Sequence, residues 1–211
     1  MRYRAGLSAL ILAALMIVAA PVFADHHESA KPSNEETTSP EAMQEYMAKY
    51  ASPGPEHKFF EFFIGDWTNA STMYMGPEPM KSSGTAHWEW SLDGRYVQST
   101  FIGEVMGQPF RGMAIDGYDR VGEKYFSIWF DTAGTGYLLA EGDVSDDGKV
   151  LTTSGETLDP MSGSEVTHRM VTTIKDQDHF SFTMYNAFPD ADEVKWMEIE
   201  YTRAKESSAK K

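Results

Sequence analysis

The sequence predicts an all-β protein, an antiparallel up-and-down β-barrel of about ten strands. From Trp67 onward, turn signals recur at short and regular intervals and separate ten strand-length runs. The turn signals are Gly76–Pro79, Leu92–Gly94, Gly107–Pro109, Asp119–Gly122, Gly134–Gly136, Asp146–Gly148, Pro160–Gly163, Asp176–Asp178 and Pro189–Asp190. Because short connections make successive strands antiparallel, and because closure removes exposed sheet edges, a closed meander is favoured. An open two-sheet sandwich is the alternative.

One or two short helices are expected before the barrel, over residues 39–64. Ser39 is a suitable N-cap and Pro40 suits the first helical position. A Pro- and Gly-rich stretch at 52–55 ends this helix. The next residues, 56–64, include four phenylalanines within two turns. So many aromatic side chains need cover, so we expect this segment to close one end of the barrel.

The first 24 residues have the three parts of a cleaved signal peptide. Two arginines precede a 14-residue apolar run from Leu7 to Ala20, and Val22 and Ala24 supply the small residues of a cleavage site. The predicted location is therefore periplasmic or secreted. A membrane anchor is the weaker alternative, because a bilayer-spanning helix needs about 20 apolar residues.

The expected organisation after the leader is a disordered acidic tether at 25–38, the helices at 39–64, the barrel at 65–204 and a disordered tail at 205–211. Cleavage after Ala24 would place His27 third from a free amine, a spacing that suits a square-planar Cu(II) or Ni(II) site. A tether that merely contains histidines is the alternative.

Composition narrows the possible partners. The formal net charge is −14, which disfavours nucleic acid and anionic lipid. There is no cysteine, so the fold depends on core packing without disulfides. No membrane span is predicted, and the oligomeric state stays open.

Several short motifs resemble a family of secreted bacterial proteins known as a domain of unknown function. The motifs are Pro55-Glu56-His57, the Phe-rich segment, Gly65-Asp66-Trp67, Leu92-Asp93-Gly94-Arg95-Tyr96, Gly117-Tyr118-Asp119, Trp129-Phe130-Asp131, Asp159-Pro160-Met161 and Tyr201-Thr202-Arg203. The first and last barrel motifs are similar to the closure of calycin barrels, such as lipocalins and fatty-acid-binding proteins. That resemblance implies that Arg203 packs over Trp67. It implies a barrel and carries no catalytic residues.

Alternation along the strands assigns a set of residues to the barrel interior. The expected interior residues are Met73, Trp88, Trp90, Arg95, Trp129, Asp131, His168 and Phe182. An apolar cavity with a few polar groups is the usual composition of a ligand site, and ten strands enclose more volume than side chains readily fill. The sequence therefore predicts a small apolar or amphipathic ligand, with no cofactor. The fifth run has aromatic residues on both faces, and one of those faces must meet the helices, a partner chain or solvent.

Two other functions stay open. An inward His168 could ligate haem or another metal, although a hydrogen-bonded core histidine is the simpler interpretation. Asp131 or Glu156 could serve a small hydrolase or isomerase if both faced one cleft. No nucleophile elbow, metal-binding helix motif or phosphate loop is present in the sequence. The many methionines suit a flexible cavity lining better than a copper carrier.

Overall fold

The computed structural model describes residues 39–205. The predicted signal peptide, the tether with His27, and the tail from residue 206 onward lie outside the described residues.

Two helices precede the barrel. Helix α1 (Pro40–Tyr50) begins where the Ser39 hydroxyl accepts a hydrogen bond from the Ala42 amide at 3.1 Å. It buries no residue. A 3-10 helix (Pro55–Phe62) follows, and its His57 ring accepts a hydrogen bond from the Gly54 amide at 3.1 Å, which satisfies a donor at the helix start. Neither helix is long and apolar enough to cross a lipid bilayer.

The remaining chain forms ten strands that close into one antiparallel barrel, which confirms the predicted fold class. The strands are β1 (Gly65–Met73), β2 (Met80–Ser91), β3 (Tyr96–Val105), β4 (Gln108–Asp119), β5 (Lys124–Asp131), β6 (Leu138–Val144), β7 (Val150–Leu158), β8 (Glu165–Asp176), β9 (His179–Ala187) and β10 (Val194–Arg203). Each strand pairs with the next one along the chain, and β10 returns to pair with β1. The register places Trp67 directly opposite Arg203.

The tightest packing lies at the end of the barrel that the 3-10 helix covers. Phe63 and Trp67 form one cluster with Phe180 and Tyr201, while Phe60 packs on Val97 in a second. We call this aromatic layer the floor. Full burial of a side chain of this size contributes about 1.5–3 kcal/mol, so the floor anchors the fold.

The two aromatic faces of β5 meet different surroundings. Tyr125 and Trp129 face inward, opposite Tyr118 and Ala114 of β4. The other face carries Phe126, Ile128 and Phe130 outward. Phe130 remains exposed on the outer surface. Among the described residues, no helix covers this outer face.

Candidate ligand-binding lumen

The contact between Arg203 and Trp67 joins the last strand, β10, to the first strand, β1, at the floor. The Trp67 indole is 1% exposed and donates to the Phe63 carbonyl at 2.7 Å. The Arg203 guanidinium carbon lies 4.2 Å from the centroid of the Trp67 ring, which is the contact expected from the sequence. The same guanidinium donates to the carbonyls of Phe62 at 2.7 Å and Ile64 at 3.1 Å. These bonds hold the last strand and the 3-10 helix together.

Above the floor, small side chains line much of the barrel wall. The small inward residues of β2 to β7 are Ser82, Gly84, Ala86, Ser99, Gly103, Gly112, Ala114, Ser127, Ala140, Gly142, Thr153 and Gly155. Larger apolar residues such as Met170, Phe182 and Ile199 face them from β8 to β10. Small residues at such positions leave room for large side chains from neighbouring strands, as at Gly112 beside Trp129, or for a bound molecule.

Several large inward side chains are only half-buried. Trp88, Trp90, Phe101, Trp129 and Met73 all face inward, yet each retains solvent exposure. Side chains in a filled core pack to near-complete exclusion of solvent. We call the interior of the barrel above the floor the lumen.

The most deeply placed acid of the lumen is Asp116, on β4. It pairs across the strands with Val97 on one side and Ser127 on the other, and both of these face inward. Burial raises the pKa of Asp116 to about 6, and the neighbouring Ser127 hydroxyl opposes the shift. The residue as a whole is half-buried. A carboxyl group with such a pKa can accept or release a proton near neutral pH.

Two further polar groups, Tyr201 and Asn69, face inward from β10 and β1. Tyr201 stacks on Phe180 with ring centroids 4.2 Å apart. Burial and the charge of Asp116 raise the pKa of Tyr201, so the two groups are within electrostatic range. Asn69, opposite Tyr201 in the β1–β10 register, is 6% exposed. Within residues 39–205 the Asn69 amide oxygen and nitrogen have no hydrogen-bond partner. A buried amide without a partner favours a ligand that can bond to it.

Trp129 and Asp131 form a unit nearer the uncovered end. The Trp129 indole donates to one Asp131 oxygen at 2.8 Å, and the Ala133 amide donates to the other at 2.8 Å. Gly112 lies directly beneath the indole, and a Cβ at that position would overlap the ring. Position 112 therefore has to be glycine, because the Trp129 ring packs directly against the backbone there.

His168 lies on β8 with both ring nitrogens hydrogen-bonded. Its Nδ1 is 2.8 Å from the Asn186 amide oxygen, and its Nε2 is 2.7 Å from the Thr157 hydroxyl. Each ring nitrogen of His168 therefore has a hydrogen-bond partner among the described residues. Iron ligation would have to displace Thr157. The described residues contain no group of three or more metal-ligating side chains.

The structure places seven of the eight expected lining residues on the inward face: Met73, Trp88, Trp90, Trp129, Asp131, His168 and Phe182. Arg95 does not lie there. It lies in the β2–β3 turn outside the barrel and donates to the carbonyl oxygens of Ala51 at 3.0 Å and Leu92 at 3.2 Å. Strand alternation does not apply to it because β3 begins at Tyr96.

Glu156 is a second correction. Its neighbours Gly155 and Thr157 face inward, and the Glu156 side chain is exposed on the outer surface. It therefore does not share a cleft with Asp131. The acid–base pair considered from the sequence does not form.

Sequence reasoning missed Asp116, Tyr201 and Asn69. All three have the spacing of inward residues, since Asn69 is two residues from Trp67 and Asp116 is two from Ala114. Because Trp67 and Arg203 were expected to contact each other inside the barrel, the residues two positions from them, Asn69 and Tyr201, could have been assigned to the inward face.

The uncovered end of the barrel, which we call the mouth, has an exposed apolar residue on each of its five loops. These residues are Met75, Met106, Tyr137, Met161 and Phe188. Met106 is 72% exposed and Met161 is 95% exposed. Large exposed apolar side chains grouped around one opening are typical of a site that contacts apolar molecules.

Two depressions lie on the outer surface. One, of about 310 Å³, is lined by Asp66, His87, Thr100 and their neighbours. The other, of about 260 Å³, lies between the helix linker and Arg95. Both are shallow and lie outside the barrel wall. We place the candidate site in the lumen because the partly accessible aromatic residues and Asp116 converge there.

The chain belongs to the family described as "Protein of unknown function (DUF1579)", whose model matches residues 52–203. Among curated proteins, none matches this sequence. The crystal structure of Rv2717c from M. tuberculosis is similar, with a TM-score of 0.54 and 12% identity over 73% of this chain and 100% of that chain. The S-type phycobiliprotein lyase CPES from Guillardia theta has a TM-score of 0.48 and 11% identity over 74% of this chain and 100% of that chain. At these identities the likeness to Rv2717c supports the barrel fold alone, and the second structure adds nothing to it.

Proposed function

We propose that this protein binds a small apolar or amphipathic molecule in the lumen, and that the molecule enters through the mouth. The observation that carries the proposal is the partial exposure of inward-facing Trp88, Trp90 and Trp129. A pocket of mostly apolar lining with a few polar groups is the ordinary form of a small-molecule site.

The two ends of the barrel differ in a way that supports one direction of entry. The floor is closed by the 3-10 helix and by Arg203. The mouth has no helix across it within the described residues, and its loops expose Met106 and Met161. An apolar ligand would therefore meet apolar side chains before it reaches the lumen.

Tryptophan emission tests the proposal directly, because three indoles face the lumen. The uncharged dye N-phenyl-1-naphthylamine should quench or shift that emission saturably, with about one dye per chain. The lumen variant is Met73→Glu, which adds a charge near the mouth, and its control is Thr72→Glu on the outer face of the same strand. We expect the first to abolish dye binding and the second to leave it intact.

A second pair of variants separates filling of the lumen from effects of charge. Ala114 is 5% exposed and faces inward, whereas its neighbour Met113 is 36% exposed and faces outward. Ala114→Phe should weaken the binding of the dye more than tenfold, and Met113→Phe should leave its binding unchanged. Unfolding midpoints show whether each variant is folded. The proposal fails if no uncharged apolar probe binds saturably, or if both lumen variants bind like their controls.

Export is a further part of the proposal, supported by the sequence of residues 1–24. The mature protein from the native host should begin at Asp25. An intact mass equal to that of the unprocessed chain would contradict it.

A further inference from the structure

The lumen has an unusual charge inventory. Its inward acids are Asp116 and Asp131, and its basic groups are His168 and Arg203. Asp131 is engaged by Trp129 and Ala133, so its oxygens already have donors. Asp116 has the Ser127 hydroxyl as a hydrogen-bonding neighbour and lies within electrostatic range of Tyr201.

The two basic groups are not placed to receive an anion. The Arg203 guanidinium is directed at the carbonyls of Phe62, Ile64 and Gln177, and its carbon lies 4.2 Å from the centroid of the Trp67 ring. His168 has both nitrogens bonded. Arg95, the cation expected inside from the sequence, lies outside the wall. A carboxylate ligand would therefore meet Asp116 without a compensating cation, at a cost that grows with enclosure.

Two indoles share the inward face with Asp116: Trp90 pairs with Val97, which in turn pairs with Asp116, and Trp88 is two residues before Trp90 on β2. Trp88 contacts Tyr201 with ring centroids 5.6 Å apart, and Trp90 packs at 6.5 Å from Phe60 of the floor. Both indoles are half-buried and face the lumen. The faces of indole and phenol rings attract organic cations, most strongly where water is excluded.

We propose that the lumen selects ligands with a positively charged organic ammonium group, which pairs with the Asp116 carboxylate beside Trp88, Trp90 and Tyr201. This inference rests on the proposed function, and it specifies the chemical class of the ligand. The rest of such a ligand is an apolar body that extends toward Met73 and the mouth.

Proton linkage gives the site a second property. A cation paired with Asp116 stabilises its ionised form, so the affinity for the cation should fall as the pH falls through about 6. Other titratable groups face the same space or lie in the floor. They are Tyr118 on β4, Tyr125 and Asp131 on β5, His168 on β8, Tyr201 on β10, and Glu56 and His57 on the 3-10 helix. The variant Asp116→Asn isolates the contribution of Asp116 from theirs.

Three ten-carbon probes of the same apolar body test the inference: decyltrimethylammonium, decanoate and decan-1-ol. Each is titrated below its critical micelle concentration against wild type, Asp116→Asn and Asp119→Asn, with tryptophan emission as the readout. Asp119 is exposed on the same strand, so its variant has the same change in net charge without a change in the lumen. This control is needed because the whole protein, at −14, attracts cations non-specifically.

At pH 8 the ammonium probe should bind wild type at least about tenfold more tightly than decanoate, the ratio expected for one charge-assisted contact. Asp116→Asn should remove this preference, whereas Asp119→Asn should retain it. At pH 5 the wild-type preference should shrink toward that of Asp116→Asn.

Equal affinity for the ammonium and carboxylate probes, or equal losses in both variants, would overturn the inference while the proposed function stands. Failure of all three probes to bind would overturn both.

Discussion

Replacement of Arg203 by alanine should destabilise the protein out of proportion to its position at the end of the last strand. The guanidinium forms hydrogen bonds to two carbonyls of the floor segment and covers the Trp67 ring at 4.2 Å. A hydrogen bond from a charged donor contributes about 1.5–3 kcal/mol and a cation–π contact about 0.5–2 kcal/mol. Because the side chain is partly exposed, the lower ends of these ranges apply, and we expect a loss of about 3–4 kcal/mol in the free energy of unfolding.

Urea denaturation followed by tryptophan emission measures this loss. With a slope of about 2 kcal/mol per molar urea, the midpoint should fall by about 1.5–2 M. Arg203→Lys keeps the charge but cannot serve two carbonyls in one plane, so it should fall between wild type and alanine. Trp67→Ala should cost at least as much as Arg203→Ala, about 3–5 kcal/mol, because it also leaves a cavity.

Arg169 supplies a matched control. Its guanidinium carbon lies 4.1 Å from the Tyr185 ring centroid, and it pairs with Glu193 on the surface. This arginine joins no terminal strand to a floor, and exposed pairs contribute about 1 kcal/mol or less. If Arg203→Ala costs no more than Arg169→Ala, the closure argument is wrong.

Two further predictions concern ionisable groups in the lumen. Since burial raises the pKa of Asp116 from 3.8 to about 6, the folded state holds a proton that the unfolded state releases between these pH values. The stability of the wild type relative to Asp116→Asn should therefore fall as the pH rises from about 4 to about 6, by at most about 3 kcal/mol, and Asp119→Asn should show the same fall relative to Asp116→Asn. Parallel pH profiles of the wild type and Asp116→Asn would contradict the assignment. For His168, haemin should give no Soret band typical of histidine ligation, and His168→Ala should lose about 1–3 kcal/mol because Thr157 and Asn186 lose their partner. A haemin Soret band that His168→Ala abolishes would restore the haem alternative.

The sequence predicted the barrel because its turns have specific chemistry. Gly94, Gly107, Gly148 and Gly163 adopt positive φ at four of the connections, a conformation that glycine reaches without strain. Such turns are local, so they can be located without knowledge of the tertiary contacts. The contact between Trp67 and Arg203 was also accessible, through the resemblance to barrels that close in this way.

The predicted positions of Arg95 and Glu156 were wrong for different reasons. Arg95 precedes β3 in a turn where Leu92 and Asp93 have positive φ, so strand alternation could not locate its side chain. Glu156 lies in β7, where small and polar residues occupy both faces. A strand without a hydrophobic alternation specifies its register weakly, so its inward face depends on pairing with β6 and β8.

The inward position of Asp116 was not predicted because the hydrophobic pattern of β4 is the reverse of the usual one, in which bulky apolar residues face inward. In β4 the bulky Met113 and Ile115 face outward, and the small Gly112 and Ala114 face inward with Asp116. A filled core would demand the opposite, since bulky apolar residues gain most from burial. The Trp129 ring of the neighbouring strand lies over Gly112, so the small residues of β4 make room for a large side chain from β5. Because that side chain belongs to another strand, the hydrophobic pattern of β4 alone could not show that Asp116 faces inward.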